Sequence, residues 1–143
     1  MYHYFYTSEL IEKDVAALVP MPKLHEKEII RLDPDEVATL LELVENGEEL
    51  TETEKRYHRV TKTRDLALLT LLLGTGIRVS ECVGLNLNDV DFKNGGIRIV
   101  RKGGYEAVVY FGEEVEDALL DYWDERTHKT AAAGHEDALF LSM

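Results

Sequence analysis

The chain has 143 residues, enough for one domain or for one domain with an additional segment. Its 45% hydrophobic and 31% charged residues can form a core and a soluble surface, which argues against wholesale disorder. The single cysteine excludes an internal disulfide and an all-cysteine metal site, and no apolar run approaches the roughly 18 residues of a membrane span. Because the first residues also lack the features of a signal peptide, we expect a reduced, cytoplasmic setting without membrane contact.

The net charge of −12 is distributed unevenly along the chain. Residues 55–102 hold ten basic and four acidic side chains, a local charge of +6, whereas the two flanks together carry −18. A basic centre between acidic flanks permits a local site for a polyanion such as DNA. Solvated helix faces of mixed sign would produce the same pattern, so charge alone leaves both interpretations open.

The first predicted element is a helix over residues 1–18, because apolar residues recur there at helical spacing: Leu10, Ile11, Val15 and Leu18. Tyrosines at positions 2, 4 and 6 predict a packing stripe on this helix. Pro20 and Pro22 end it, since proline removes a hydrogen-bond donor and restricts the preceding residue. We expect an extended linker over residues 19–32, and therefore a separate structural unit for the first helix.

Two capping boxes predict the next helix starts, Asp33 with Glu36 and Thr51 with Glu54. The first helix ends at Asn46-Gly47, and its apolar stripe is expected to be buried: Val37, Leu40, Leu41 and Val44. The second runs to about Thr61. A further helix, Leu66–Leu73, is apolar on almost every side and is expected at the centre of the core until Gly74-Thr75-Gly76 breaks it.

The period then changes from helical to alternating. After a short helix over Arg78–Val83, the runs Gly96–Val100 and Ala107–Phe111 predict a β-hairpin around Gly103-Gly104, with Asp89–Phe92 as a third strand. An acidic amphipathic helix is predicted over Glu113–Arg126, and Ala138–Leu141 predicts the start of another element. The expected fold is therefore α+β, mostly helical, with a small antiparallel hairpin or three-stranded sheet.

Arg78 is a candidate phosphate ligand, because it follows a glycine-rich turn and opens a short helix with unpaired N–H groups. Glu81 lies three residues later on the same face and could orient the guanidinium. An ordinary surface ion pair would explain the same two residues. Lys102, at the predicted hairpin tip, could likewise enter a groove or donate a proton, or serve solubility alone.

The remaining reactive side chains predict no further site. Cys82 is expected to be a small buried hydrophobic residue, and no hydroxyl or thiol has a credible base partner. The histidines at positions 3, 25, 58, 128 and 135 have no metal-ligand spacing and are expected on the surface. We therefore expect neither a metal nor another cofactor.

The order of these motifs resembles the catalytic domain of the tyrosine recombinases, the phage integrase and Xer-like family. An apolar helix leads into the run Gly74-Thr75-Gly76-Ile77-Arg78-Val79-Ser80-Glu81, then Gly84-Leu85, Asp89-Val90-Asp91-Phe92, a hairpin with Lys102-Gly103-Gly104, and Phe111-Gly112-Glu113-Glu114. The resemblance covers residues 24–143, which look like the N-terminal half of that domain. Residues 1–23 look like the end of a core-binding domain with the interdomain linker.

The resemblance implies site-specific recombination of double-stranded DNA through a 3′-phosphotyrosyl intermediate. It implies that Arg78 stabilises charge on the scissile phosphate, that Lys102 protonates the departing 5′ oxygen, and that Glu81 supports the site. The expected DNA-binding residues all belong to the basic segment: Arg78, Arg101, Lys102, Arg64 and Lys62.

The family's later His-x-x-Arg motif and tyrosine nucleophile are not found in these 143 residues. We therefore expect a fragment of a recombinase that is inactive alone, whose parent acts as a homo-tetramer on DNA without a small-molecule cofactor. The alternative is a non-catalytic α+β module that binds DNA or a protein. A gene that continues into a His-x-x-Arg motif and a tyrosine would separate the two.

Overall fold

The computed structural model describes residues 2–20 and 30–142 and divides the chain into two units, Met1–Arg31 and Leu32–Met143. The expected boundary between residues 23 and 24 lies outside the described residues, as do Pro22, His25 and most of the expected linker. That boundary stays a prediction. In the described ranges no helix is both long and apolar enough to cross a membrane.

The first unit contains a short helix instead of the predicted helix over residues 1–18. Helix α1 spans Tyr2–Thr7, and a single 3-10 turn follows at Val15–Leu18. Glu9 adopts a left-handed backbone conformation with φ of 58°, which a continuing helix cannot accommodate. The expected packing stripe is also wrong, since Tyr4 and Tyr6 are exposed, while the side chain of Tyr2 lies outside the described part.

Helix α2, Pro34–Asn46, begins and ends as the sequence predicts. Asp33 accepts a hydrogen bond from the Glu36 amide at 3.1 Å and its own amide donates to Glu36 at 2.9 Å. The left-handed Gly47 ends the helix, with its N–H donating to Leu43. The expected burial of the stripe is wrong, because Val37, Leu40, Leu41 and Val44 are only half-buried. The helix packs on α3 and leaves an open apolar groove of about 660 Å³ beside it.

Helix α3, Glu52–Thr75, is one continuous helix of 24 residues where two were predicted. No glycine or proline interrupts it before Gly74, so nothing breaks the helix between Thr61 and Leu66. Its full length is about 36 Å. Only one side of its apolar half is buried, through Ala67, Thr70 and Leu71, which is the side that faces α5 and the core.

The predicted three-stranded sheet is confirmed. Strands β1 (Val90–Asp91), β2 (Gly96–Val100) and β3 (Glu106–Tyr110) are antiparallel in the order β1-β2-β3. Along β2 the side chains alternate, so Ile97 and Ile99 are buried in the core while Arg98 and Val100 face outward. The sheet is therefore covered by the helices on one face only.

Two further helices and the end of the chain complete the core. Helices α4 (Val79–Val83) and α5 (Glu113–Thr127) lie where they were predicted. Residues 138–141 begin no regular helix or strand: Ala138 forms an isolated bridge with Asn86, and bends follow at residues 139 and 140. Leu139 is buried with Leu119 and Tyr122 of α5. The second unit is thus an α+β fold with one small antiparallel sheet, as expected.

Candidate phosphate-binding site at the start of α4

The turn that presents Arg78 is formed by two glycines with different roles. Gly76 has a φ of 65° and ends α3 by donating its N–H to Leu72 at 2.9 Å. Gly74 is still helical, and an added Cβ would lie 2.5 Å from Cγ2 of Val115 on α5. The predicted break at Gly74-Thr75-Gly76 is therefore confirmed, with Gly76 as the residue that ends the helix, while Gly74 permits close approach of two helices. Ile77 is buried and anchors the turn just before Arg78.

Arg78 is the N-cap residue of α4 and is held by Glu81 through two separate bonds. The Arg78 amide donates to one carboxylate oxygen at 2.8 Å, and its Nη1 donates to the other oxygen at 3.1 Å. The Glu81 side chain is 5% exposed, whereas that of Arg78 is 71% exposed. The pair is thus not an ordinary surface ion pair, because a buried carboxylate binds both the main-chain amide and the Nη1 of an arginine whose side chain is otherwise largely exposed.

The negative charge of the Glu81 carboxylate is stabilised by its neighbours. The hydrogen bond from the Arg78 amide lowers the pKa of the Glu81 carboxyl below its ordinary value, and the positive charges of Arg78 and Arg101 lower it further, against burial, which raises it. Glu81 therefore remains an acceptor for both Arg78 donors at neutral pH.

The hairpin turn brings Arg101 and Lys102 to the tip of β2. The Arg101 amide donates to Tyr105 at 2.8 Å and the Gly104 amide donates to Arg101 at 3.0 Å. Gly103 and Gly104 both have positive φ, of 94° and 81°, which the tight turn requires. Strand β2 contacts α4, and the exposed Lys102 follows the last residue of β2 by two positions.

Lys62 and Arg64 lie on α3, away from the start of α4 where Arg78 is located. Lys62 lies fourteen residues before Gly76 on α3, roughly 20 Å along the helix axis. Arg64 donates to Asp65 at 2.6 Å and to the Leu141 carbonyl at 2.8 Å, and its side chain is 19% exposed. DNA binding by these two residues stays a prediction, and the internal contacts of Arg64 count against it.

Two residues that the sequence did not single out are central to the structure around α4. Arg126 and Tyr122 are 4% and 1% exposed, and both bind the main chain of residues 136–141. The available signal was the position of Arg126, which follows Val115, Leu119 and Tyr122 on the buried stripe of α5. An arginine on an apolar stripe indicates a buried polar contact.

Cys82 is buried as predicted, but one histidine is not on the surface. Burial raises the pKa of the Cys82 thiol to about 11. His58 is half-buried against Gly47, where its Nε2 donates to the Val44 carbonyl at 2.7 Å and joins α3 to α2. Among the described residues, no group of three or more histidine, cysteine or acidic side chains could hold a metal ion.

The sequence matches the phage integrase family over residues 30–143. Tyrosine recombinase XerC of Listeria monocytogenes serotype 4a (strain HCC23) is 38% identical over 145 residues, covering 96% of this chain and 44% of that protein. Tyrosine recombinase XerD of Yersinia pestis is 34% identical over 142 residues, covering 99% of this chain and 44% of that protein.

Solved structures show the same similarity. The crystal structure of XerA recombinase aligns with a TM-score of 0.63 at 25% identity, over 96% of this chain and 42% of that one. The Tn1549 transposon integrase in complex with circular intermediate DNA has the same fold, with a TM-score of 0.62 at 21% identity, over 99% of this chain and 47% of that one. The chain spans less than half of the length of each of these four proteins.

Proposed function

The chain belongs to the phage integrase family, and on that premise we propose that it forms the N-terminal half of the catalytic domain of a site-specific DNA recombinase. The observation that carries the proposal is the arrangement of Arg78 and Glu81 at the start of α4. A guanidinium that Glu81 binds through Nη1, on a side chain that is otherwise largely exposed, suits the binding of a phosphate that changes charge during a reaction.

Arg78 is proposed to bind the scissile phosphate. Its Nη1 is engaged by Glu81, and the accessible remainder of the planar fork can donate to non-bridging oxygens. Glu81 acts through Arg78 and is a positioning residue. The second arginine and the nucleophilic tyrosine of the family are assigned to none of these 143 residues.

Lys102 is proposed as the general acid that protonates the departing 5′ oxygen. Its place at the tip of a turn with two positive-φ glycines supports this role, because the side chain extends away from the sheet on a short loop. Arg101 and Arg78 carry positive charge in the same region, which favours approach of a polyanion.

Double-stranded DNA is the proposed partner. Several of the similar solved structures, among them that of the Tn1549 integrase, are of recombinases bound to DNA, which supports the proposal. Arg78, Arg101 and Lys102 supply the proposed phosphate contacts at the site, with Lys62 as a contact elsewhere along α3. Assembly of the parent as a homo-tetramer on DNA in the cytoplasm is part of the same proposal.

The test compares Arg78→Ala, Arg78→Lys and Lys102→Ala in an intact recombinase that contains this sequence. Loss of one donor to transition-state charge lowers a rate by about a hundredfold to a thousandfold, and lysine is expected to rescue Arg78 poorly because it lacks the fork. The matched control is Arg98→Ala, an outward arginine paired with Asp89 at 3.0 Å, which is expected to keep its activity.

A 5′-bridging phosphorothiolate substrate separates the two roles. Sulfur leaves without needing a proton, so this substrate is expected to restore much of the cleavage rate of Lys102→Ala and little of that of Arg78→Ala. Rescue of Arg78→Ala with Lys102→Ala still slow would show that the roles are assigned the wrong way round.

A further inference from the structure

The segment at residues 136–141 is held by two side chains of α5, Arg126 and Tyr122. Arg126 donates to the Ala138 carbonyl through Nε at 3.0 Å and Nη2 at 2.9 Å, and to the Glu136 carbonyl through Nη2 at 2.7 Å. The Tyr122 hydroxyl donates to the Leu139 carbonyl at 3.1 Å and accepts from the Leu141 amide at 3.2 Å. A segment without regular structure thereby has its buried main-chain groups satisfied.

The use of a buried arginine for this purpose is unusual. Arg126 is 4% exposed, and the described hydrogen bonds of its guanidinium all go to main-chain carbonyls. Burying a charge costs free energy unless the geometry of its hydrogen bonds is good. Three bonds from one planar fork fix both the position and the direction of the segment, which an apolar side chain at this place would not do.

The main chain of the same segment also forms hydrogen bonds with the residues that follow α4. The Leu139 amide donates to the Leu85 carbonyl at 2.8 Å, and the Leu87 amide donates to the Asp137 carbonyl at 2.8 Å. Leu85 follows the last residue of α4 by two positions, and α4 itself has only five residues. A helix this short has little rigidity of its own, so its orientation depends on what holds its two ends.

We propose that Arg126 is a positioning residue for Arg78, acting through the 136–141 segment and its main-chain hydrogen bonds with Leu85 and Leu87. The importance of Arg78 for DNA cleavage rests on the proposed function, whereas the mechanical link does not. Arg126 is buried in the core and binds the carbonyls of Glu136 and Ala138, while the main chain of the same segment binds Leu85 and Leu87 just after α4. Through this chain of contacts it sets the orientation from which Arg78 and Glu81 extend.

The first test uses the 143-residue chain and NMR spectroscopy. Arg126→Lys keeps the charge but cannot bind two carbonyls in one plane, and Arg126→Met removes the donors while keeping much of the length. In both variants we expect the Leu87 and Leu139 amides to exchange with solvent about tenfold faster or more, since two or three hydrogen bonds are lost. The control is Arg98→Met, which lies outside the core.

The decisive readout is at Arg78 and Glu81. If Arg126 positions Arg78, the backbone amide signal of Arg78 shifts in Arg126→Lys and the Glu81 carboxyl titrates closer to its ordinary pKa of 4.5, because that amide is its main hydrogen-bond donor. Faster exchange in the segment with both of these signals unchanged would mean that Arg126 only stabilises the fold, and the proposal would be wrong.

Two further measurements keep the outcomes distinct. If Arg126→Met does not fold, two milder variants test the positioning role by the same Arg78 signals. They are Arg126→Lys and the volume-conserving Tyr122→Phe, which removes the hydroxyl that lies between Leu139 and Leu141. In an intact recombinase we expect Arg126→Lys to slow cleavage more than it weakens DNA binding. A moved Arg78 signal combined with full activity of Arg78→Ala would reject the proposed function and leave the positioning role standing.

Discussion

Gly74→Ala is predicted to destabilise the chain although it replaces glycine in a helix. The helix itself gains about 1 kcal/mol from alanine. The new Cβ, however, would lie 2.5 Å from Cγ2 of Val115, where ordinary carbon contacts are about 3.5–4.0 Å. Val115 is 4% exposed and β-branched, so it cannot turn away without strain, and overpacking of this kind costs about 1–3 kcal/mol. We therefore expect a net loss of roughly 1 kcal/mol in the free energy of unfolding, measured by urea denaturation.

A double-mutant cycle identifies the cause. In a Val115→Ala background the clash is gone, so Gly74→Ala is expected to become stabilising, with a coupling energy of about 1–3 kcal/mol. Gly76→Ala is the matched control: nothing lies within 4 Å of its added Cβ, and its cost comes only from its φ of 65°. Its coupling to Val115→Ala should be near zero. Stabilisation by Gly74→Ala in the unaltered chain, or equal coupling for both glycines, would refute the proposed close contact.

Three further outcomes are expected. Since the pKa of Glu81 in the folded chain is below its ordinary 4.5, its contribution to stability is present above pH 4.5 and is lost as the pH falls through the pKa of the folded chain. Glu81→Gln should therefore lessen the loss of stability in acid, which thermal unfolding measured between pH 6 and 3 would show. The Cys82 thiol, with a pKa of about 11, should react with a disulfide reagent at pH 8 roughly a hundredfold slower than in urea, and equal rates would contradict its burial. These 143 residues should bind duplex DNA weakly and with steep salt dependence in anisotropy titrations, because acidic flanks oppose the basic segment; sequence-specific binding at physiological salt would count against this. They should form no covalent adduct on a nicked suicide substrate, because the nucleophilic tyrosine of the family matches none of their tyrosines, and an adduct would contradict this.

Local signals made much of the second unit predictable. The capping boxes at Asp33 and Thr51 consist of hydrogen bonds between residues three positions apart, so they predict where a helix begins without tertiary information. Alternation along β2 and the paired glycines of its turn likewise fix the hairpin. Arg78 and Glu81 could be singled out by spacing, but whether their contact is buried depends on packing that the spacing does not contain.

The sequence-based predictions are wrong where tertiary contacts determine the structure. The sequence predicts two helices within α3 because its first half is polar and its second half is apolar. The helix is continuous because no residue between the two halves interrupts it. The first unit has a short helix with exposed tyrosines, because periodicity alone does not supply a surface to pack on. The role of Arg126 could not be read from its neighbours in sequence, since its partners lie ten and twelve residues later.

The capping arrangement at α4 separates what the fold needs from what the reaction would need. The bond that starts this helix uses the main-chain N–H of Arg78, which every residue except proline can supply. Folding therefore places little constraint on the side chain at this position. Different side chains could be tried here, by selection or by design, while the same carboxylate continues to hold the backbone. A position with this freedom can change its chemistry without first rebuilding the scaffold around it.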